Sequence, residues 1–545
     1  MNAVILETAA SQQFQQYERR DDSPGAWPIQ VDRVVALQAL HEASRHAHRL
    51  AHPLIASIVQ PVPWRDPLAI YAAAQTLGAT TDCFWEQPTQ RRALVAIGAA
   101  ATITTADSGD EDPAPTRSAA PLQTLQATAA RWRELLADAH VIHMLQHDAD
   151  DDTDDMMSMM SGPLCCGGFA FDAQAPHTAL WDGFPAGLLV LPHLLFSFTD
   201  ERATLTTNAV LDGSEDGATL KRIVERQAVA LARLCASVEL HDCDQTPALA
   251  PGKARLTELR SAAEWRATVA QATAAIRRGA YHKIVLARGV QAQAEQPFDV
   301  MATLGRLRAR YPSACVFALR RGAQTFLGAT PERLAQVAAG RVETMALAGT
   351  APRGATEDAD VALGRALLAS AKNREEHAIV AATVREALAP LVRDAQALQN
   401  ASEPQLLGLP NVQHLITPIS AALRPGVGAL EVAATLHPTP AVGGYPRDAA
   451  LAAIRAHEGL DRGWYAGPVG WVGASGEGEF AVALRSALVH GAVATLFAGC
   501  GIVADSDPQA EYAESRLKLM VMLRGLGLDD VQQPHADGGE SHDDA

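Results

Sequence analysis

Long segments with helical periodicity alternate with short apolar segments along this chain. Apolar residues recur at helical spacing over 219–240, 261–281 and 361–392. Ser261 stands at the start of the second segment as a candidate N-cap, and Glu264 follows it at the spacing of a capping box. The pattern therefore predicts three long helices, each with one apolar face.

Short segments rich in β-branched and other apolar residues predict strands. The clearest read HKIVLARGV, ACVFALRR, TFLGATPERLAQVA and RVETMALAG, at 282–290, 314–321, 325–338 and 341–349. Short neighbouring strands with glycine-containing turns, interrupted by long helices, favour antiparallel sheets with helices on their outer faces. The apolar run at 187–198 contains a proline and is too short to span a bilayer, so we expect a buried strand pair there.

Three segments lack this periodicity and are rich in acidic or small polar residues. Their composition predicts disordered insertions near 106–121 and 147–160 and a disordered acidic tail at 531–545. The second insertion contains His147 and an aspartate-rich run. A metal site there is the less favoured interpretation, because runs of like charge are usually solvated.

Composition and charge limit the classes of partner. The chain has 545 residues, of which 48% are hydrophobic and 20% charged, and its formal net charge is −17. Nucleic acids and anionic membranes require a basic surface, so we expect neither as a partner. A small anionic substrate remains possible, because it responds to the local field of its cleft and to any bound cation.

Cysteine usage and the absence of certain motifs further restrict the expected compartment and the function classes of the protein. Seven cysteines without CxxC or zinc-like spacing predict reduced thiols and a cytoplasmic protein, and the first residues do not resemble a signal peptide. There is no Walker loop, no GxGxxG after a strand and no GxSxG. Nucleotide, dinucleotide and serine-hydrolase functions are therefore disfavoured.

Charged residues interrupt the apolar segments repeatedly after residue 261. They lie within a predicted strand, past a Thr-Pro turn and on two helix faces: Lys283, Glu332, Lys372 with Glu376, and Glu511 with Glu514 and Lys518. Singly, each has an ordinary explanation, such as a solvated helix stripe or a lysine that extends to a sheet edge. Together, carboxylates on two helices can bind one Mg²⁺ ion, and a lysine and a glutamate on strands can serve as base and acid.

A series of ordered motifs resembles the chorismate-utilising enzymes, a family of isochorismate, salicylate, anthranilate and aminodeoxychorismate synthases. Between 261 and 526 they read KIVLAR, FLGATPERL, ALAGT, EEHAIV, NVQHLITPI, LHPTPAVGG, WYAGPVGW, EFAVALRS and GIVADSDPQAEYAESRLKL. FWEQP at 84–88 and GGFAFD at 167–172 extend the resemblance weakly into the first half. It implies an α+β fold, with two large antiparallel β-sheets packed face to face and helices on the outside. Residues 1–250 would form the N-terminal part of this body, and 251–530 the chorismate-binding catalytic region.

Within the family the sequence is most similar to isochorismate synthases. The resemblance implies a Mg²⁺-dependent isomerisation of chorismate, in which water adds at C2 and the C4 hydroxyl leaves. It makes Lys283 the general base and Glu332 the general acid. The implied metal ligands are Glu376 and Glu514, with Glu511 holding the metal's waters, and the implied substrate-binding residues are Ala348, Gly349, His414, Ala441, Arg485, Gly499 and Lys518. His437 falls in a motif near the pocket, but the resemblance gives it no clear role.

Some alternatives stay open at this point. Glu343 is a second candidate for the acid, because many relatives have a glutamate close before the LAG stretch; Glu332 is favoured by its spacing from Glu376. Members that eliminate pyruvate, such as salicylate synthases, are expected to have threonine at the position of Ala441. Members that use ammonia are expected to differ at Lys283. A non-catalytic chorismate-binding or scaffold protein is the remote alternative.

Two properties are left undecided by the resemblance. Isochorismate feeds menaquinone, catechol siderophores and salicylate, and the motifs do not select one of these pathways. We expect a monomer.

Overall fold

Two large β-sheets surrounded by helices make up the computed structural model of the protein. It describes residues 27, 29–105, 121–144, 155–175, 177–200, 202–238, 254–396, 398, 403–408 and 412–528. The predicted acidic tail, the insertion at 106–120 and the first part of the second insertion lie outside these residues.

The elements of the described residues are as follows. The helices are α1 (Arg33–Leu50), α2 (Pro67–Ala74), α3 (Pro121–Leu136), α4 (Asp155–Met160), α5 (Gly217–Val238), α6 (Ala262–Arg277), α7 (Val300–Arg310), α8 (Glu357–Ala369), α9 (Ala371–Leu388), α10 (Ala429–Leu436), α11 (Arg447–His457) and α12 (Pro508–Gly525). The strands are β1 (Leu54–Pro61), β2 (Thr81–Gln87), β3 (Arg92–Ile97), β4 (Ala101–Thr104), β5 (His140–His143), β6 (Leu164–Phe169), β7 (Gly187–Leu191), β8 (Leu194–Phe198), β9 (Ala203–Leu211), β10 (Ala254–Glu258), β11 (Lys283–Ala294), β12 (Cys315–Arg321), β13 (Gln324–Thr330), β14 (Arg333–Ala338), β15 (Arg341–Pro352), β16 (Gln405–Gly408), β17 (Val412–Ala422), β18 (Gly444–Tyr445), β19 (Pro468–Gly473), β20 (Gly478–Val482), β21 (Ser486–His490) and β22 (Val493–Ile502).

The strands form two sheets, and each sheet contains strands from both halves of the chain. In the described residues the larger sheet has the order β10-β11-β22-β21-β13-β12-β2-β3-β8-β9-β1-β5, with β18 beside β11, and the smaller has the order β16-β17-β15-β14-β20-β19-β6-β7-β4. The described strand pairs are antiparallel except β1 with β5. The predicted fold class is confirmed, while the division at residue 250 stays a prediction.

The weak N-terminal motifs lie where the two halves of the chain meet. FWEQP belongs to β2, which pairs with β12, so that Trp85 lies opposite Phe317. GGFAFD begins in β6, which pairs with β19, so that Cys166 lies opposite Trp471. The first half therefore extends both sheets of the second half.

Hydrogen bonds and apolar packing join the two sheets face to face. Gln87 on β2 donates to Glu479 Oε1 on β20 at 2.7 Å, and Thr330 on β13 donates to the carbonyl of Val482 on β20 at 2.6 Å. On the outer face of the larger sheet, apolar residues of four helices pack against the strands: α2, α5, α7 and α12. Helices on the outside are therefore stabilised by burial of their apolar faces.

Two of the predicted helices are present, and the third is divided. Helix α6 begins with the predicted capping box, in which Glu264 N–H donates to Ser261 Oγ at 3.2 Å and Ser261 N–H donates to Glu264 Oε2 at 3.0 Å. The segment at 361–392 instead forms α8 and α9, because Ser370 adopts an extended conformation and its side chain caps α9 by accepting from Asn373 N–H. The apolar periodicity continues through this break and does not reveal it.

Two predicted strand segments also differ from expectation. The segment at 325–338 is two strands in different sheets, because the chain crosses from β13 to β14 at Pro331 and Glu332. The run at 187–198 forms two buried strands, as predicted, but β7 belongs to the smaller sheet and β8 to the larger. Proline and glycine mark breaks in a strand, but they do not show which sheet follows.

The second predicted insertion is shorter than expected. Residues 155–160 form α4, because Met157, Met159 and Met160 are buried against the core. Methionine side chains fill irregular gaps in a core, which accounts for this short helix after an acidic run. Among the described residues, no helix combines the length and hydropathy needed to cross a bilayer.

Candidate active site

A polar cavity of about 230 Å³ lies where strands of both sheets meet helices α9 and α12. It is lined by all of the predicted site residues: Lys283, Glu332, Ala348, Gly349, Glu376, His414, Ala441, Arg485, Gly499, Glu511, Glu514 and Lys518. These residues come from six strands or strand ends, one loop and two helices, so only the tertiary fold brings them together. His437 is not part of this lining; its Nε2 lies 2.9 Å from the carbonyl oxygen of Phe171.

Lys283, the first residue of β11, is buried but has an anionic partner. Its Nζ lies 2.7 Å from Glu376 Oε1, and its side chain is 2% exposed. A buried lysine is tolerated when its charge is paired, which explains how a lysine stands in an apolar strand. Pairing of β11 with β18, which places Lys283 opposite Tyr445, holds the backbone beneath it.

Two glycines of β22 make room for this ion pair. A Cβ atom on Gly501 would lie 3.0 Å from Lys283 Cε and 3.1 Å from Glu376 Oε1. Gly499 faces the same side of the strand, two residues earlier, as the period of a strand requires. Gly499 and Gly501 therefore leave space for charged side chains as well as for a ligand.

Glu332 occupies the crossing between the two sheets and is buried. Burial raises its pKa to about 7, although the positive charges of Lys283, Arg485 and Lys518 oppose this shift. Its neighbour Arg333 does not neutralise it, because Arg333 Nε pairs with Glu479 Oε1 at 2.9 Å. A carboxyl group with a pKa near 7 can hold a proton at neutral pH and donate it.

Glu343, the alternative acid, lies outside the cavity. Its side chain is 60% exposed and lies 3.5 Å from Arg333 Nη1. The strand β15 alternates in burial, and Glu343 points to the solvent side near the start of the strand. This position favours Glu332 as the acid.

Helix α12 presents three charged residues to the cavity on one face. Its N-terminus is capped by Asp507, which accepts from Ala510 N–H at 2.8 Å. Lys518 Nζ lies 2.7 Å from Glu514 Oε1 and donates to the carbonyl of Gly499 at 2.9 Å. Glu511 is 8% exposed. Glu511, Glu514 and Lys518 therefore face the cavity and do not form an ordinary solvated ion-pair stripe on a helix surface.

Glu511 and Glu514 lie close enough together to share a divalent cation, whereas Glu376, the other predicted ligand, pairs with Lys283. One carboxylate oxygen of each and Cys500 Sγ all lie within 4.8 Å of one another. Burial, and then the charge of Glu514, raise the pKa of Glu511 to about 7. Burial alone would raise the pKa of Glu514 as well. The positive charge of Lys518 opposes this effect, and the pKa of Glu514 is lowered overall.

The donor set suits a hard cation. Two neighbouring carboxylates, of which Glu511 is buried and Glu514 partly exposed, repel each other, and a divalent cation relieves that repulsion. Glu376 adds a third carboxylate to the cavity lining. Cys500 donates its thiol hydrogen to the backbone carbonyl of Glu511 at 3.2 Å, and burial raises the pKa of this thiol, so the oxygen ligands predominate.

Arg485 gives the cavity a cation that is available to an anionic ligand. Within the described residues its guanidinium forms no ion pair and no hydrogen bond, and it lines the cavity beside Lys518. Its backbone φ is 49°, in the left-handed region that residues other than glycine rarely adopt. A partly desolvated arginine without a carboxylate partner favours binding of a carboxylate.

His414 presents an uncharged ring to the cavity. Its Nδ1 lies 3.3 Å from the carbonyl oxygen of Gly349 and 3.1 Å from Thr350 Oγ1, while its buried Nε2 has no hydrogen-bond partner among the described residues. Burial, together with the charges of Arg485 and Lys518, lowers its pKa to about 3. With Nδ1–H donating to the carbonyl, Nε2 can accept a hydrogen bond from a ligand hydroxyl.

Several lining residues were not among the predicted site residues: Val285, Lys372, Asn373, Val442, Arg462, Tyr465 and Gly501. Gly501 could have been found from its spacing to Gly499, since residues two apart face the same side of a strand. Arg462 follows helix α11 in an irregular segment, and no pattern in the neighbouring sequence distinguishes this buried arginine from an exposed one.

Comparisons with known proteins agree with the geometry. The sequence profile of the family described as chorismate binding enzyme matches residues 38–527. The chain is 38% identical, over 89% of its length and 94% of the relative, to the salicylate biosynthesis isochorismate synthase of Pseudomonas aeruginosa. It is 32% identical to isochorismate synthase MenF of Bacillus subtilis, over 91% of this chain and 98% of the relative.

A solved structure supports the same grouping. The menaquinone-specific isochorismate synthase MenF of Escherichia coli superimposes with a TM-score of 0.67 and 27% identity, which covers 90% of this chain and all of that chain. The similarity extends over both sheets and both halves of the sequence.

Proposed function

The chain belongs to the chorismate binding enzyme family, and from this premise we propose that it is a Mg²⁺-dependent isochorismate synthase. It converts chorismate to isochorismate by adding water at C2 of the ring and releasing the C4 hydroxyl. One observation carries the mechanism: a lysine and a protonatable glutamate line the same cavity as carboxylates from two helices and an arginine that has no ion-pair partner among the described residues. This set supplies a base, an acid, an anion site and a cation site.

Lys283 and Glu332 serve the two proton transfers. Lys283 takes a proton from the water that attacks C2, and Glu332 gives a proton to the hydroxyl that leaves C4. Their placement on a strand and at a strand end holds both groups on stiff backbone. Burial supports the acid role, because it keeps the Glu332 carboxyl protonated up to a pKa of about 7.

The remaining charged groups hold the substrate and the ion. Arg485 and Lys518 bind a substrate carboxylate by charge-assisted hydrogen bonds. Glu376 and Glu514 are the proposed direct ligands of Mg²⁺, and Glu511 orients the metal's waters. When bound, the ion supplies positive charge that neutralises and orients the other substrate carboxylate. Glu376, whose Oε1 lies 2.7 Å from Lys283 Nζ, would turn to the ion when it is bound, and the Lys283 ammonium would pass its proton to solvent before it acts as the base.

Ala441 supports isochorismate as the released product. It lines the cavity at a position where we expect threonine in members that go on to eliminate pyruvate. The names of the relatives connect this chemistry with salicylate and menaquinone biosynthesis. We place the protein in the cytoplasm, because the described cysteines are free thiols, and we retain the expectation of a monomer.

Product identification tests this proposal. Purified protein is incubated with chorismate in ¹⁸O-labelled water, with Mg²⁺ or with a chelator, and the products are separated by chromatography and mass spectrometry. We expect isochorismate that carries one ¹⁸O atom, formed only with Mg²⁺, and no pyruvate. Stoichiometric pyruvate and salicylate would assign the protein to the salicylate synthases, and anthranilate formed from ammonium would reject both assignments.

The pH dependence of kcat should report the acid. Glu332 must be protonated to donate, so the fraction of protein with Glu332 protonated is high below its pKa of about 7 and falls tenfold per pH unit above it. The kcat of Glu332→Gln at each pH is the reference, because that variant keeps the Lys283 base. The charged groups that face it, Lys283, Arg485 and Lys518, moderate this shift but do not reverse it. At saturating Mg²⁺ and chorismate, a ratio of the kcat of the unmodified protein to that of Glu332→Gln that stays constant from pH 6 to about 9 would contradict the role of Glu332 as acid.

A further inference from the structure

Strand β11 lacks a neighbouring strand over part of one edge. Beside Lys283 and Ile284 this edge pairs with β18, and from Val290 onward it pairs with β10. Between these pairings, backbone groups on this edge need other hydrogen-bond partners. Lys283 lies at one end of the gap, so the groups that fill the gap also hold the strand of the proposed base.

A buried ion pair supplies the missing partners. Arg462 Nη2 donates to the carbonyl of Val285 at 2.7 Å, and Ala287 N–H donates to Glu458 Oε2 at 2.7 Å. Trp265 Nε1 donates to the carbonyl of Ala287 at 3.2 Å. The side chains of Glu458 and Arg462 are 2% and 4% exposed. In the middle of the gap, these side chains replace a strand.

Arg462 also holds a second wall of the cavity. Its Nη1 donates to the carbonyl of Val442 at 3.0 Å, and Val442 and Ala441 both line the cavity. The same guanidinium therefore bonds to the strand of Lys283 and to the loop of Ala441. A planar fork with several donors can fix two backbone segments at once, which a single ammonium cannot do.

The charge of Arg462 is already used within the protein. Its Nε and Nη2 each donate to a different oxygen of Glu458 at 2.6 Å, and its guanidinium lies 4.1 Å from the centre of the Phe171 ring. Four of its five N–H groups are accounted for by Glu458 and the two carbonyls. Arg485, in contrast, has no ion-pair partner among the described residues, so it is the better anion-binding group.

We propose that Arg462, held by Glu458, is a positioning residue for this reaction. It sets the distance between the Lys283 strand and the Ala441 loop, and so places the base against the ring without binding the substrate. This inference rests on the proposed function. Loss of the Arg462–Glu458 ion pair should therefore lower the rate of turnover and leave the affinity for the substrate unchanged.

Arg462→Lys tests the positioning role, because lysine retains the charge but lacks the fork. We expect kcat to fall by about 10²-fold, since a misplacement of about 1 Å has an effect of that size. The KM for chorismate should be unchanged, because Arg485 and Lys518 are retained.

The control is Arg455→Lys. Arg455 lies on α11, donates two hydrogen bonds to Asp172, and is absent from the cavity lining. Its kcat and KM should both be unchanged.

Glu458→Gln is the second variant, and thermal melting accompanies each assay. It keeps the shape of the side chain but removes the charge that orients Arg462, so kcat should fall again with KM unchanged. An unchanged kcat in a folded variant, or a raised KM with kcat unchanged, would overturn the positioning role. Failure of both variants to fold would show a purely structural pair and would overturn it as well.

The unmodified protein separates this inference from the proposed function. If it forms no isochorismate, the function fails and the inference fails with it. If it is active and Arg462→Lys is equally active, only the positioning role is rejected.

Discussion

Replacing Lys283 with alanine should lower the rate of isochorismate formation by about 10²- to 10⁴-fold, the range expected for loss of a proton-transfer group. The side chain is buried in the cavity wall, and the neighbouring Gly501 has no side chain that could replace it. Mg²⁺ binding, measured by titration calorimetry, should be retained or strengthened, because Glu376 loses the ammonium that competes for its carboxylate. Product formation is measured by chromatography.

Lys283→Arg separates the role of the amine as a base from its role as a partner of Glu376. Arginine keeps a positive charge beside Glu376 but cannot give up its proton in a protein. We expect this variant to be as inactive as the alanine variant while its melting temperature stays closer to that of the unmodified protein. Turnover at the unmodified rate in either variant would remove Lys283 from the mechanism.

Glu332→Gln should also lower kcat by about 10²- to 10⁴-fold, because an amide of the same shape cannot donate a proton to the leaving hydroxyl. The pH dependence that Glu332 contributes above about pH 7 should be absent from the residual activity, since the amide does not titrate. Binding of chorismate should persist, because Arg485 and Lys518 are unchanged. The measurement is a pH series of kcat at saturating substrate.

Glu343→Gln is the matched control for this variant. Glu343 has the same side chain, lies on the next strand but one and is 60% exposed outside the cavity. Its kcat and its pH profile should equal those of the unmodified protein. A large loss in the Glu343 variant, with normal turnover in the Glu332 variant, would reverse the assignment of the acid.

Local chemistry made several elements predictable. The capping box at Ser261 is a contact between residues three apart, and it sets the start of α6 wherever the helix packs. The β-branched and other apolar residues that follow Lys283 predict a strand in the same way. The ordered motifs indicated the family, and through it the residues that line the cavity.

Breaks between elements were harder to predict because they depend on what surrounds them. The periodicity at 361–392 continues across Ser370, yet the chain ends one helix there and starts another. At Pro331 the chain leaves one sheet and enters the other, which places Glu332 in the wall between them. A proline and a threonine mark the turn, but the direction of the chain after it is set by packing of the two sheets.

The sequence by itself determined the helical and strand periods, the family and the identity of the charged groups, because these depend on residues near one another in the chain or on their order. The tertiary structure alone decided that Lys283 pairs with Glu376, that Arg485 forms no ion pair within the described part of the chain, and that Arg462 fills a gap in β11. These are contacts between distant segments. Burial and neighbouring charges, which shift the pKa of a carboxyl such as Glu332, exist only after those segments have packed together.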